Sequence, residues 1–582
     1  MLWFQNHGGS NPPARTNGYL INNKFNMENK KIRIIPLGGL GEVGRNMTLL
    51  EYEKDILIID MGLGFPDENM HGIDFTIPNI NYLKGKEKNI LGAVFTHGHY
   101  DHIGAIPYLL PKIGTIPMYA GGLTKGIILR RQEDFTNQPK LDIKLIKQGS
   151  KINLGPFEVN PFRLNHSIPD NFGLFIKTPV GNIVHTSDFK FDKSPVNELP
   201  VDFEELKRIG SKNILLLTSD STGAEEEGHS LSEKTIFENL NKIFQKTKGR
   251  IISASFASLI NRIQQLITLS ERYNRKVAIE GYSLKTNIEI CEALGKIKIK
   301  KGTIINTKDI GKYPDSKISI ICTGAQGEEN ASFMRIASKE HRFIHIKGND
   351  TIVFSSSVIP GNERSVQALK DEFYRQGAKV FHYKMMDIHS SGHARQDELK
   401  QMIQIMKPHF FMPVHGQYSM LVRHAELAEE QGIEKRNIVI AENGEVIDLT
   451  KETISKENKK IPTSCVMVDG LGVGDVGEVV LRDRQNLAED GMFVIVAIID
   501  KKTGRVKGSP DIISRGFIYL RESKQLLGET RQKTIKTINK LTTSDNAVNW
   551  TFVKKELRSK IGHFLYSKTK RRPMVLPVII EV

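Results

Sequence analysis

From about residue 30 the chain alternates between short runs of branched and aromatic residues and longer stretches with helical spacing. KIRIIPL, MTLLEYE, DILIID and ILGAVFT read as strands, as do ILLLTSD, RIISASF, KVAIEG, SISIICT, DTIVFSS, KVFHYK and HFFMPVHG. Between the later runs, LSEKTIFENLNKIFQKT, LINRIQQLITLSERYN and QDELKQMIQIMK repeat their apolar residues every three or four positions, as amphipathic helices do. This alternation predicts α/β layers with sites at the strand ends. The polar, lysine-rich stretch LTKETISKENKKIPTS (449–464) reads as a linker, and a smaller α/β module follows it. Residues 1–29 hold seven Asn and no core pattern, so they read as a disordered tail. Met27 stands just before the first strand, and the functional start is expected there.

Length and charge narrow the class. At 582 residues the chain has room for about three or four domains. With 39% hydrophobic and 25% charged residues it is ordinary globular material, which excludes a mostly disordered chain. Lys and Arg number 82 against 66 Asp and Glu, a net +16 that attracts polyanions, nucleic acid first. Cys291, Cys322 and Cys465 lie far apart, which implies neither a disulfide framework nor a CxxC knuckle and suits a reducing compartment. No apolar run approaches the roughly 18 residues of a membrane helix.

Two motifs compete near the start. Gly39, Gly41 and Gly44 mimic a dinucleotide fingerprint, with Asp60 ending the strand sixteen residues later. The residues between have a strand pattern and leave no space for a crossover helix, so tight turns between paired strands are the better reading. Residues 96–104, Thr-His-Gly-His-Tyr-Asp-His-Ile-Gly, are far more specific. His97, His99, Asp101 and His102 crowd into six positions on a turn, and so many titratable groups need a shared cation. Imidazole and carboxylate suit Zn²⁺ or Mn²⁺. Asp188 in HTSDFK and His415 in FFMPVHGQY, both at strand ends, and His166 in LNHSIPD are further donors.

The chain resembles the metallo-β-lactamase superfamily and, within it, the β-CASP nucleases of the ribonuclease J family. The likeness runs from about residue 31 to the C-terminus through GGLGEVGRNM, IIDMGLGFP, HGIDFTIPNI, THGHYDHIGA, HSIPD, HTSDFKFD, SDST, FASLINRIQQ, CTGAQGE, SSSVIPGNE, HSSGHA, PVHGQY, SPDIISRGF and RRPMVLPVIIEV. Two positions depart from the family's habit: Ser187 stands where Gly is usual, and Tyr282 where Arg is expected.

The resemblance implies an α/β fold: a metallo-β-lactamase αββα sandwich (30–220 and 375–450), an inserted β-CASP α/β domain (221–374), a linker (451–464) and a small C-terminal α/β domain (465–582). It implies two divalent metals, zinc before manganese. His97, His99 and His166 would hold one, Asp101, His102 and His415 the other, with Asp188 bridging and Asp60 orienting a ligand from behind. Asp220 is implied as the first acidic motif and His393 as a proton donor to the leaving oxygen. His389, Ser390, Ser391, Gly392 and His393, with Phe256, Ala257 and Ser258, would cradle a substrate phosphate, and Ser355–Ser357 is a weaker candidate. Asp74 and Asp469 match a structural cation site, calcium by expectation. The implied function is 5′→3′ exonuclease and endonuclease action on single-stranded RNA, preferably 5′-monophosphorylated, in RNA decay and rRNA or mRNA processing. The expected setting is a cytoplasmic homodimer or homotetramer away from membranes. A small-molecule thioester or lactam hydrolase and a non-catalytic RNA-binding protein are the competing classes. The first leaves the inserted domain without a purpose, and the second would call for a missing ligand.

Overall fold

The structure, a computed structural model, describes residues 30–582 except 68, 137, 329–330, 360, 471, 520 and 543–548; the expected tail 1–29 lies outside the described residues. The chain forms two compact units, one of residues up to Gly62 with Ile80–Thr463, the other of Leu63–Asn79 with Ser464–Val582.

The first unit contains the expected sandwich. An eight-stranded sheet has the order Ile454–Lys460, Glu445–Leu449, Ile32–Gly38, Met47–Tyr52, Asp55–Ile59, Ile90–Val94, Pro117–Ala120 and Asp142–Leu145. A six-stranded sheet has the order Phe410–Val414, Ile214–Asp220, Asn182–His185, Phe172–Lys177, Phe157–Arg163 and Ile152–Leu154. Leu57, Val94, Leu174, Ile176, Leu216 and Met412 from the two inner faces make one buried cluster. On the outer face of the second sheet, Val184, Leu217 and Phe411 meet Leu206, Met402 and Leu427 from three covering helices. Strands covered on both sides need apolar residues at nearly every position, which is why ILLLTSD and FFMPV show no alternation.

The inserted domain is an all-parallel six-stranded sheet, ordered Ile304–Ile305, Lys276–Glu280, Ile318–Cys322, Ile251–Ala254, Thr351–Phe354 and Lys379–His382. Its edge strand Lys379–His382 lies beyond the boundary expected at 374, because a strand pattern does not say which sheet the strand will join.

The stretch expected as a linker is also different. Ile454–Lys460 pairs antiparallel with Glu445–Leu449 and forms the edge of the eight-stranded sheet. Its burial explains the misreading: only Ile454 is buried, and the lysines face solvent, as charges on an edge strand should.

The second unit takes Leu63–Asn79 out of the span assigned to the sandwich. Phe75–Ile77 pairs with Val466–Asp469 in a three-stranded sheet. A second sheet, Asp511–Arg515, Met492–Ile499 and Met574–Glu581, packs Phe493 and Ile495 against Leu557 and Ile561 of the helix Trp550–Thr569. Among the described residues no helix is long and apolar enough to cross a membrane.

Candidate metal centre and phosphate pocket

The site collects where strands of the sandwich end, and its backbone is strained there. Asp60 (φ 60°), Ser187 (φ 58°) and His415 (φ 52°) are all left-handed, a conformation that costs a side-chain-bearing residue about 1–2 kcal/mol. The strain turns each chain abruptly out of its strand, so that the side chain of the same or the next residue faces the common centre.

Three imidazole nitrogens converge. His99 Nδ1 stands 3.1 Å from both His97 Nε2 and His166 Nε2. Gly392 O accepts from His166 Nδ1 at 2.7 Å, which leaves Nε2 as a lone pair facing the others. Burial, with His102 and His99 adding their charges, holds His97 well below its ordinary pKa; burial takes His99 to about 4, and burial also depresses His166. Neutral imidazoles pointing lone pairs at one spot repel unless a cation sits between them. Their spacing approaches the roughly 3.3 Å edge of a tetrahedron with zinc–nitrogen bonds of about 2.0–2.1 Å.

A second group lies alongside. His102 Nε2 is 3.3 Å from Asp188 Oδ2 and 3.6 Å from Asp101 Oδ2, and His415 Nε2 is 3.7 Å from Asp101 Oδ2. His102 Nδ1 is held by Asp60 Oδ2 at 2.8 Å, while Asp60 also accepts from the Thr96 amide and hydroxyl, each at 2.8 Å. His415 Nδ1 donates to Asp188 Oδ1 at 2.7 Å, and its Nε2 is buried without a hydrogen-bond partner. Asp188 Oδ2 faces both groups, 3.8 Å from His97 and 3.7 Å from His166 as well. Burial opposes charge on His102 and His415, yet Asp188 outweighs it and raises both. Burial likewise opposes ionisation of Asp188, and His415 and His102 outweigh it in turn. The orphaned nitrogen and the cation-seeking carboxylates fit two divalent ions, each group having ligand atoms within 4.8 Å of one another.

Ser187, where the related pattern has Gly, occupies a left-handed position that Gly adopts without penalty. Its hydroxyl reaches His97 Nδ1 at 3.3 Å and donates to Asn171 Oδ1 at 3.2 Å. Ser187→Gly should therefore relieve strain while leaving His97 Nδ1 with the Thr96 hydroxyl alone, 3.1 Å away. Stability should change by less than about 1 kcal/mol, whereas zinc affinity, measured by chelator competition, should fall about tenfold.

Beside these two groups, Asp220 Oδ2 accepts from His393 Nδ1 at 2.8 Å. Burial lowers the His393 pKa, but Asp220, through charge and hydrogen bond, lifts it to about 9. Asp220 is also fixed by the Thr222 amide at 3.0 Å and hydroxyl at 2.7 Å. His393 is thus a protonated group 5.1 Å, ring to ring, from His166 and 5.7 Å from His415.

In the 389–393 loop, Ser391 is half-buried and its Oγ accepts the His393 amide at 3.1 Å, leaving the hydroxyl proton to donate. Gly392 is required: a Cβ would stand 2.6 Å from His166 Cε1. Ser390 turns inward and donates to Leu231 O at 2.7 Å. Burial takes His389 to about 3, so it stays neutral. Ser390 thus supports the loop rather than lining it. Ser355 is fully buried, donating to Ile388 O at 2.8 Å, and is scaffolding too. Phe256, Ala257 and Ser258 are half-buried at the end of Ile251–Ala254.

Beneath the pocket lies a buried charge network that the sequence did not reveal. Arg262 donates to Glu233 Oε2 at 2.8 Å, Ser355 Oγ at 2.6 Å and Ile388 O at 2.7 Å, while Lys190 Nζ reaches Glu233 Oε1 and Ser390 Oγ, both at 3.4 Å. Arg262 follows Phe256–Ser258 and so joins both loops. Arg262→Met should cost about 3–5 kcal/mol, since it leaves Glu233 buried with a weaker partner. Burial raises the Glu233 pKa, but Arg262 and Lys190 outweigh it and bring it below the usual carboxylate range. Stability from a depressed acid is present above the unfolded value, about 4.3, and fades as pH falls toward the folded one. The melting-temperature gap between parent and Arg262→Met should accordingly be widest above about pH 5 and narrow on acidification.

At the structural cation site expected on Asp74 and Asp469, both carboxylates already have protein partners. Asp74 Oδ2 accepts the Gly470 amide at 2.8 Å, and Asp469 is ion-paired with Arg484. Calcium takes roughly six to eight oxygens, and among the described residues this pair joins no group of three acids or imidazoles. Tyr282, the other departure, accepts a hydrogen bond from Arg130, so a guanidinium reaches that place from a different helix.

Residues 40–167 match the Metallo-beta-lactamase superfamily and 361–439 the Zn-dependent metallo-hydrolase RNA specificity domain. With the sandwich and its clustered imidazoles, they define a divalent-metal hydrolase of that superfamily. Residues 248–373 match the Ribonuclease J beta-CASP domain and 479–582 the Ribonuclease J C-terminal domain. The chain is 38% identical to Ribonuclease J2 of Bacillus subtilis over 559 residues, covering 96% of this chain and 100% of that one. It is 39% identical to Ribonuclease J 1 of Streptococcus pyogenes over 556 residues, covering 96% and 99%. The chain belongs to the ribonuclease J family and is a metal-dependent ribonuclease. A protein of unknown function from Enterococcus faecalis V583, known from its crystal structure, shares the fold at a TM-score of 0.52 and 16% identity, covering 72% of this chain and all of the other.

Proposed function

We propose that this ribonuclease degrades single-stranded RNA from a 5′-monophosphate end, 5′→3′, and also cuts internally, in RNA decay and rRNA or mRNA processing. The carrying observation is the direct link between pocket and metal ligands: Gly392 O binds His166 Nδ1, and the next residue, His393, is held by Asp220. A phosphate seated on this loop is thereby set at a fixed distance from the reaction centre.

His97, His99 and His166 would hold one metal and Asp101, His102 and His415 the other, with Asp188 placed to serve both. Zinc is the occupant favoured by the three converging imidazoles, with manganese the alternative. When bound, such ions would supply a nucleophile at neutral pH and neutralise the phosphate. Asp60 orients His102. Asp220 keeps His393 protonated, and His393 passes that proton to the leaving oxygen. Ser391 and the surrounding amides seat the terminal phosphate, with Phe256–Ser258 opposite. The enzyme works as a homodimer or homotetramer in the cytoplasm, where its three free cysteines stay reduced.

The test is metal-dependent turnover on 5′-monophosphorylated RNA, 5′-triphosphorylated RNA and DNA. Stepwise release of mononucleotides from the monophosphate alone is expected, and equal rates on the two RNA ends would overturn the terminal pocket.

A further inference from the structure

Two tyrosines stand uncovered beside the metal motif. Tyr100 opens the four-residue helix that carries Asp101 and His102, and it is 44% exposed. Tyr282 opens the helix Tyr282–Ala293 of the inserted domain and is 66% exposed. Each ring is braced by a guanidinium from the helix Gly122–Gln132: Arg131 lies 5.8 Å from the Tyr100 centroid and Arg130 5.7 Å from that of Tyr282. Arg130 also pairs with Glu133 and Arg131 with Asp134, so both arginines are fixed at their far ends.

The surrounding packing fixes this arrangement. Gly126 lets the two longer helices approach, since a Cβ there would stand 2.7 Å from Ile290 Cγ2. Asn287 donates to Ala257 O at 2.9 Å, tying the Tyr282 helix to the Phe256–Ser258 loop. The rings thus border the metal motif on one side and the phosphate loop on the other. Neither tyrosine contributes much to the core, and single exposed aromatics need no explanation. Two together, each braced by a cation at the edge of a polyanion-cleaving site, make a surface suited to an unstacked base. Base–aromatic stacking works for any sequence, because every base presents a π face.

We propose that Tyr100 and Tyr282 form a base-stacking platform that grips one unpaired nucleotide of the RNA beside the metal centre, with Arg130 and Arg131 bracing the rings. The proposal rests on the ribonuclease reading of the site, and cleavage of intact RNA by the parent tests that reading separately.

The experiment uses the full chain and single-stranded RNAs in which one base at a time is removed, leaving an abasic ribose. One position should raise the parent's KM about tenfold with kcat little changed. Tyr282→Ala should raise KM for intact RNA by a similar factor and then show no further rise at that abasic position; Tyr282→Phe should behave as the parent. A parent that cleaves RNA with no sensitive position, or effects of variant and abasic site that simply multiply, would overturn the platform. A reading independent of any variant is 2-aminopurine at the sensitive position: stacking on the parent should quench its fluorescence on binding, and unchanged emission would equally overturn it.

Discussion

A His102→Ala variant should lose RNA cleavage by several orders of magnitude while melting within a few degrees of the parent. Its Nε2 faces Asp101 and Asp188, and Asp60 fixes the ring from behind. Removing it would leave the proposed second ion with Asp101, His415 and the shared Asp188, a set weakened by one of its two imidazoles. Without that ion the phosphate's developing charge is uncompensated and the nucleophile reverts toward bulk water, whose pKa is about 15.7 rather than about 7. Asp60 keeps its Thr96 partners, so the core tolerates the loss. Asp101→Asn, at a more exposed position, serves as a milder second variant. Metal analysis should find one ion per chain where the parent holds two. Two bound ions together with the parent's rate in His102→Ala would show the ligand set to be wrong.

Ser391→Leu should separate the two modes of cleavage. Ser391 keeps a hydroxyl facing the pocket, whereas Ser390 is committed to Leu231. A leucine there would fill the space proposed for a terminal phosphate while leaving the proposed metal ligands in place. Exonucleolytic release from a 5′-monophosphate should fall about a hundredfold or more, the scale of losing several charge-assisted hydrogen bonds. Internal cleavage, which needs no terminal phosphate, should fall far less. End-labelled RNA resolves the two, mononucleotide against longer fragments. Equal loss of both would mean that the loop only supports the fold.

Both effects concern residues that the chain displays openly, and the reason is chemical. Four candidate ligands within six positions, on a turn between apolar runs, are legible because no packing pattern produces such a cluster. His166, Asp188 and His415 are readable for a related reason: a polar residue closing an apolar strand stands where the strand's face opens onto a site. The α/β layering is legible too, since strands covered on both faces must be apolar throughout. What stayed hidden depends on which elements meet. The strand Ile454–Lys460 carries lysines because it is an edge, and a lysine-rich edge strand and a linker have the same composition. The edge strand Lys379–His382 has an ordinary strand pattern, and its membership of the inserted sheet comes from pairing with Thr351–Phe354.

Periodicity records that a residue is buried, never beside what. So the sequence by itself determined the metal chemistry, the layered fold and the kinship with ribonuclease J, because those depend on residue types at short range. Only the tertiary structure decided that Ser390 ties the 389–393 loop to Leu231 while Ser391 stays half-exposed. It likewise placed Phe75–Ile77 against Val466–Asp469, and gave the left-handed turn that explains Gly or Ser at 187. It alone brought Lys190, Glu233 and Arg262 together beneath the pocket. Those three come from separate parts of the chain, and a buried charge is tolerated only where the fold delivers its partner.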